Sequence, residues 1–130
     1  MKKYKAMVLT CIDPRIQTKV YNYLKNKKLS GKYSLFTIAG SSIGVTNKKF
    51  KKWHKTFWDN LEISIKLHKI SRLIVINHED CGAAKIANNK KKFNFFIERK
   101  IHNESFKIVK KITAKRYPYL KVSCKTLSLK

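Results

Sequence analysis

No apolar run in this 130-residue sequence approaches the roughly 20 residues that a bilayer-spanning helix needs. The opening "MKKYKAMVLTCIDPR" starts like an export signal, but Asp13, Pro14 and Arg15 stop its apolar run before a signal core is complete. Cysteine is sparse and odd in number. Three thiols without an export signal do not make a disulfide framework, so they read as reduced thiols or metal ligands in a soluble, cytoplasmic protein with no membrane partner. Acidic residues are also short, 7 against 31 basic ones, which leaves a formal net charge of +24. Such a surface attracts polyanions. Arginine, however, is the scarce cation: only four of the 31 basic residues are arginine, and phosphate and base recognition favours its planar fork. Lysine travels with 14 isoleucines and nine asparagines, all residues with A/T-rich codons, so codon drift accounts for the charge and no nucleic-acid partner is expected. The densest runs, "NKKFKKWHK" and "NNKKKF", read as solvated loops or helix faces.

What is present fits a globular chain, 43% hydrophobic and 12% aromatic, of a length that suits a single domain over residues 1–130. Residues 4–12, "YKAMVLTCI", form an apolar run of strand length, of the kind covered on both faces. Asp13 and Pro14 then occupy N-cap and first-turn positions, and Ile16, Val20, Tyr23 and Leu24 follow at helical spacing until Gly31. A second strand is expected at 34–39, closed by Gly40 and a loop to Asn47. Trp53, Phe57, Leu61, Ile65 and His68 mark a long amphipathic helix. "RLIVINHEDCG" carries a buried strand at Leu73 to Ile76, a turn with His78, Cys81 and Gly82, and another helical stretch. A further helix is expected over 95–115, and "LKVSCKTLSL" reads as an edge strand. Alternating strands and helices predict an α/β fold, a mainly parallel sheet flanked by helices with right-handed crossovers.

Sites in such sheets form beyond the carboxyl ends of the strands. Cys11 ends the first strand, and His78 and Cys81 lie just past the third, so the three converge if those strands are neighbours. Two thiols and an imidazole match the ligand preference of Zn²⁺, and three protein ligands leave a fourth position open, as in catalytic zinc. Gly82 lets the chain turn tightly beside the metal. Asp13 fixed by a bidentate Arg15 can accept the proton of a bound hydroxide and aim it, or swing in as a fourth ligand and close the site. Taken singly, Asp13 reads as an N-cap, Arg15 as an exposed helix residue and Cys11 as a small buried hydrophobe. Only their combination with His78 and Cys81 points to a metal. His54, His68 and His102 have no matching partner and read as surface or interfacial. Cys124 reads as core packing in the last strand, and Trp53, Phe57 and Trp58 as helix core or subunit interface.

Cys11-Ile-Asp13-Pro-Arg15 followed by His78-Glu-Asp-Cys81-Gly82 resembles the zinc signature of the β-class carbonic anhydrases. The resemblance extends through "TIAG" and the helix before "RLIVINHEDCG" to "YPYLKVSCKTLSL", nearly the whole chain. It implies one Zn²⁺ per chain on Cys11, His78 and Cys81, an Asp13–Arg15 dyad governing the fourth position, and a substrate pocket bordered by Gly40 and Gly82. It further implies reversible hydration of carbon dioxide to bicarbonate, and a homodimer or higher homo-oligomer. Hydrolysis of carbonyl sulfide or carbon disulfide on the same site, and a silent zinc fold that binds nucleic acid, are the alternatives. Thr37 and Ile38 stand where the family's Arg-Asn precedes Ala-Gly, and the resemblance is expected to lack the family's N-terminal helical arm.

Overall fold

The computed structural model describes residues 3–89 and 92–130; Lys90 and Lys91 of the "NNKKKF" run lie outside them. Strand β1 (Ala6–Thr10) is buried at every position, and β3 (Arg72–His78) at every position after its first. Both lie inside a four-stranded, wholly parallel sheet of order β2-β1-β3-β4, with β2 at Tyr33–Thr37 and β4 at Lys121–Leu127. Apolar runs fill the two central strands because both of their faces are covered. The edge strands mix exposed and half-buried positions, and in β4 the lysines alternate outward.

The two-residue period of β1 divides the core into two layers. Ala6 and Val8 face Val20 and Leu24 of α1 (Gln17–Asn26), together with Ile74 and Ile76. Met7 and Leu9 face Phe57, Trp58 and Leu61 of α3 (Lys51–His68) and Phe106 and Val109 of α5 (Phe95–Arg116), together with Leu73 and Val75. Each such large side chain contributes about 1.5–3 kcal/mol on burial. Of the aromatic cluster, Phe57 and Trp58 are core, Phe57 packing edge-on between Phe36 and Trp58, while Trp53 is half-buried and stacks on Phe50.

Several boundaries differ from expectation. The first strand is shorter than 4–12, because its last residues bend away to carry the site. The third runs on through His78, which is thus in the sheet rather than past it. Helix α1 stops at Asn26, and Gly31 sits in the following turn with φ of 74°. The stretch expected as loop up to Asn47 holds a short helix, α2 (Ser42–Thr46), and Gly82–Ala87 form α4. Among the described residues no helix is long and apolar enough to cross a membrane.

Helix α2 is seated tightly. A Cβ on Gly44 would lie 2.2 Å from the Ala39 carbonyl oxygen, a backbone atom that no rotamer change can move aside. Gly44→Ala is therefore expected to lower stability by about 2 kcal/mol or more, read from the urea midpoint; an unchanged midpoint would show that α2 has slack at this contact.

Candidate metal centre

Because β1 and β3 pair directly, with Leu9 opposite Val75, the residues that follow their ends emerge side by side. Cys11, His78 and Cys81 meet there, their ligand atoms all within 4.8 Å of one another and all three side chains buried. Each has its own support. Cys11 Sγ accepts the Gly40 amide at 3.3 Å, and Cys81 occupies the N-cap of α4, where the Ala83 and Ala84 amides favour a negative sulfur. The neighbouring Cys81 thiol outweighs burial and holds Cys11 well below the ordinary thiol range, while the Cys11 sulfur, with burial, pushes Cys81 up.

His78 completes the cluster. Its Nδ1 lies 2.7 Å from the Glu79 carbonyl oxygen, which can only accept, so Nδ1 carries the proton. Nε2 is buried with no hydrogen-bond partner among the described residues. A buried ring nitrogen left bare is rare and costly, whereas a bare Nε2 beside two thiols is what a metal ligand set requires. Burial opposes charge on this ring, but the Cys11 sulfur, the Glu79 carbonyl and Asp13 outweigh it and raise its pKa. The residues present fit a thiophilic, tetrahedral ion such as Zn²⁺.

Asp13 caps the turn after β1 and is clamped by Arg15 at once. Its Oδ1 accepts the Arg15 backbone amide at 2.8 Å, and the guanidinium forks onto it through Nη2 to Oδ2 at 2.8 Å and Nε to Oδ1 at 3.1 Å. That fork, more than the amide, holds the carboxyl at about 2. Oδ2 also stands 3.8 Å from His78 Nε2, facing the same point as the three ligands. The sequence did not reveal that Arg15 has a second carboxylate: Nη1 donates to Asp80 Oδ2 at 3.0 Å and Nη2 to the Asp80 carbonyl at 2.9 Å. One guanidinium therefore ties the loop after β1 to the loop after β3.

The remaining expectations sort as follows. Gly40, with φ of +81°, is held close, since a Cβ there would lie 2.8 Å from that of Ala83, while Gly82 faces open space. Thr37 pairs its hydroxyl with that of Thr10, and Ile38 packs in the second apolar layer. Cys124 is half-buried against that same layer. His54 and His68 are half-buried and away from the thiols. His102 corrects the reading of surface or interface: it is 2% exposed, bonded to Asn77 and Glu98 behind the ligand loop. Its one sequence signal was the i,i+4 spacing to Glu98 on a helix.

A family model described as "Putative carbonic anhydrase" matches residues 1–115. Two uncharacterized proteins are similar over 118 residues, 90% of this chain: one from Rickettsia bellii at 28% identity, of which the chain spans 72%, and one from Rickettsia conorii at 27%, of which it spans 63%. Among solved structures, the β-carbonic anhydrase CafA of Aspergillus fumigatus superposes with a TM-score of 0.64 at 12% identity, over 98% of this chain and 72% of that one. A mutant form of β-carbonic anhydrase CafD from the same fungus gives 0.62 at 11%, over 99% and 86%. At these identities the likeness to the solved structures is one of fold.

The hydrogen bonds set opposite tautomers for the two buried rings. Two-bond ¹⁵N–¹H correlation spectra of the metal-free protein, taken above both imidazole titrations, are expected to show His78 protonated on Nδ1 and His102 on Nε2. Finding His78 protonated on Nε2 would remove it as a ligand in this geometry.

Proposed function

The chain belongs to the β-carbonic anhydrase-like family, and from that premise we propose that it hydrates carbon dioxide reversibly to bicarbonate, using one Zn²⁺ held by Cys11, His78 and Cys81. The observation that carries this reading is the buried, unpartnered His78 Nε2, facing two thiols with a clamped carboxylate 3.8 Å away. A zinc ion on three protein ligands supplies a Lewis acid that makes a nucleophile of water near neutral pH. The chain's own groups do the rest. Asp13, held at about 2, is too weak a base to carry a proton through a neutral-pH cycle, but it is a permanent acceptor. It therefore orients an O–H at Oδ2 so that the lone pair of that oxygen faces the carbon of the substrate. Arg15, with bonds to both Asp13 and Asp80, keeps Oδ2 from moving in to become a fourth ligand. Thiolates must form for the metal to bind, which suits the reducing cytoplasm.

Neither of two cavities, of about 470 and 550 Å³, is lined by Cys11, Asp13 or Arg15, and Ile12, between them in sequence, is 58% exposed. A small apolar substrate such as carbon dioxide needs walls that exclude water, so the working form is proposed to be a homodimer or larger, with Gly40 and Gly82 bordering the enclosed pocket.

Purified protein is expected to hold one zinc per chain and to hydrate carbon dioxide in stopped flow between about pH 7 and 9. Asp13→Asn should keep the zinc and lose about 10²-fold or more in kcat. Cys11→Ser should lose both zinc and activity. A zinc-replete wild type that is inactive on carbon dioxide would overturn the proposed reaction, and turnover of carbonyl sulfide by the same sample would redirect it to the sulfur analogue.

A further inference from the structure

The ligand loop is held from behind by a carboxylate. The amides of Asp80 and Cys81 point to the same side, and the two oxygens of Glu98 take one each: Asp80 N–H to Oε1 at 3.2 Å and Cys81 N–H to Oε2 at 2.9 Å. Glu98 comes from the first turn of α5, far along the chain, and only 7% of it is exposed. The loop has need of such a hold. Asp80 adopts φ of +56°, a left-handed conformation that costs a non-glycine residue roughly 1–2 kcal/mol, and consecutive amides turned one way form a concavity that favours an anion.

Glu98 is itself aimed by a chain of bonds whose polarity is settled at one end. The Ser42 backbone N–H can only donate, and it points at Asn77 Oδ1 at 3.3 Å, as does the Ser42 hydroxyl at 3.0 Å. The Asn77 NH₂ therefore faces His102, at 2.8 Å from Nδ1, which must accept. The proton of the ring is then on Nε2, which donates to Glu98 Oε2 at 3.0 Å. Burial, acting against the pull of Glu98, keeps the His102 pKa below its ordinary value and the ring a neutral donor. From α2 through β3 to α5, each donor meets an acceptor, and the last acceptor holds the amide of a ligand cysteine.

We infer that Glu98 is a positioning residue of the metal centre, fixing through its two amide bonds both the Cys81 ligand and the Asp80 clamp on Arg15, with His102 aiming its carboxylate. The inference rests on Cys11, His78 and Cys81 being metal ligands. Without Glu98, two buried amides lose their acceptors and Asp80 loses the hold on its strained turn, so Cys81 and the Arg15 partner relax together. Packing alone does not demand this pair: an apolar residue on α5 would fill the volume and leave both amides bare.

The test uses the whole chain titrated with Co²⁺, whose visible bands report tetrahedral thiolate coordination, and with Zn²⁺ against a chromophoric chelator. Wild type is expected to give an intense tetrahedral cobalt spectrum. Glu98→Gln turns an NH₂ toward one of the two amides; it should bind either metal about 10–100-fold more weakly and with shifted cobalt bands. His102→Gln keeps a donor toward Glu98 and should retain near-wild-type affinity and bands, whereas His102→Ala should weaken binding. That pair carries the test should Glu98→Gln fail to fold. Wild-type affinity and spectrum in folded Glu98→Gln, or equal behaviour of the two His102 variants, would overturn the inference while leaving the metal centre standing. Failure of the wild type to bind cobalt or zinc would overturn both.

Discussion

Everything at this site depends on the direct parallel pairing of β1 with β3. The register sets Leu9 against Val75, so the residues just after β1 emerge beside the end of β3, where Cys11 lies near His78. A crossover that placed another strand between them would separate the first thiol from the imidazole by a further strand spacing of nearly 5 Å, beyond the reach of one ion. The apolar character of both strands enforces the pairing, because each must be covered on both faces and only the centre of the sheet offers that. The hydrophobic core and the metal geometry are thus consequences of one strand order.

The polar groups around the ligands obey a second rule, that nothing buried is left without a partner. Cys11 has the Gly40 amide, the Cys81 and Asp80 amides have Glu98, Glu98 has His102, and His102 has Asn77. Two buried side-chain atoms are exceptions among the described residues: Thr113 Oγ1, within α5, and His78 Nε2. Only the second faces other candidate ligands. In a network so fully paired, one bare nitrogen beside two sulfurs and a carboxylate stands out as a position compatible with a cation.

Much of this could be read in the sequence, and the limit has a physical basis. Strand type, the parallel sheet and the residues of the Cys11–His78–Cys81 cluster were legible because apolar runs, helical spacing and the Cys-x-Asp-x-Arg and His-x-x-Cys-Gly patterns are local signals, whereas the adjacency of β1 and β3 was only a condition for their convergence. The cap and the clamp read at Asp13 were partly compatible in the sequence, and the structure shows how: Oδ1 accepts the Arg15 amide while Oδ2 takes the guanidinium and lies 3.8 Å from His78 Nε2. Asp80, Asn77, Glu98 and His102 were not legible, because their meaning lies in contacts between elements far apart along the chain. A Glu and a His four apart on a lysine-rich helix look like a solvated pair. Helix α2 was hidden by its composition, Ser, Gly and Thr that ordinarily mark a loop; burial against Ala39 and α5 overrides that preference.

The scarcity of acid in this chain sharpens what its carboxylates do. Asp59, Glu62 and Glu104 each sit i,i+4 from a lysine on an exposed helix face, pairs worth about 0.3–0.5 kcal/mol. Of the other four, Asp13, Asp80 and Glu98 bind groups of the metal centre through their side chains, and Glu79 fixes the His78 tautomer through its carbonyl. A drift toward lysine would be expected to erode acidic residues wherever they are dispensable. In a chain of net charge +24, three of seven acidic side chains lie on the two loops and the helix behind them. Two of these, Asp13 and Asp80, share one arginine, so the loops carry one negative charge more than Arg15 neutralises, which favours a cation between Cys11, His78 and Cys81.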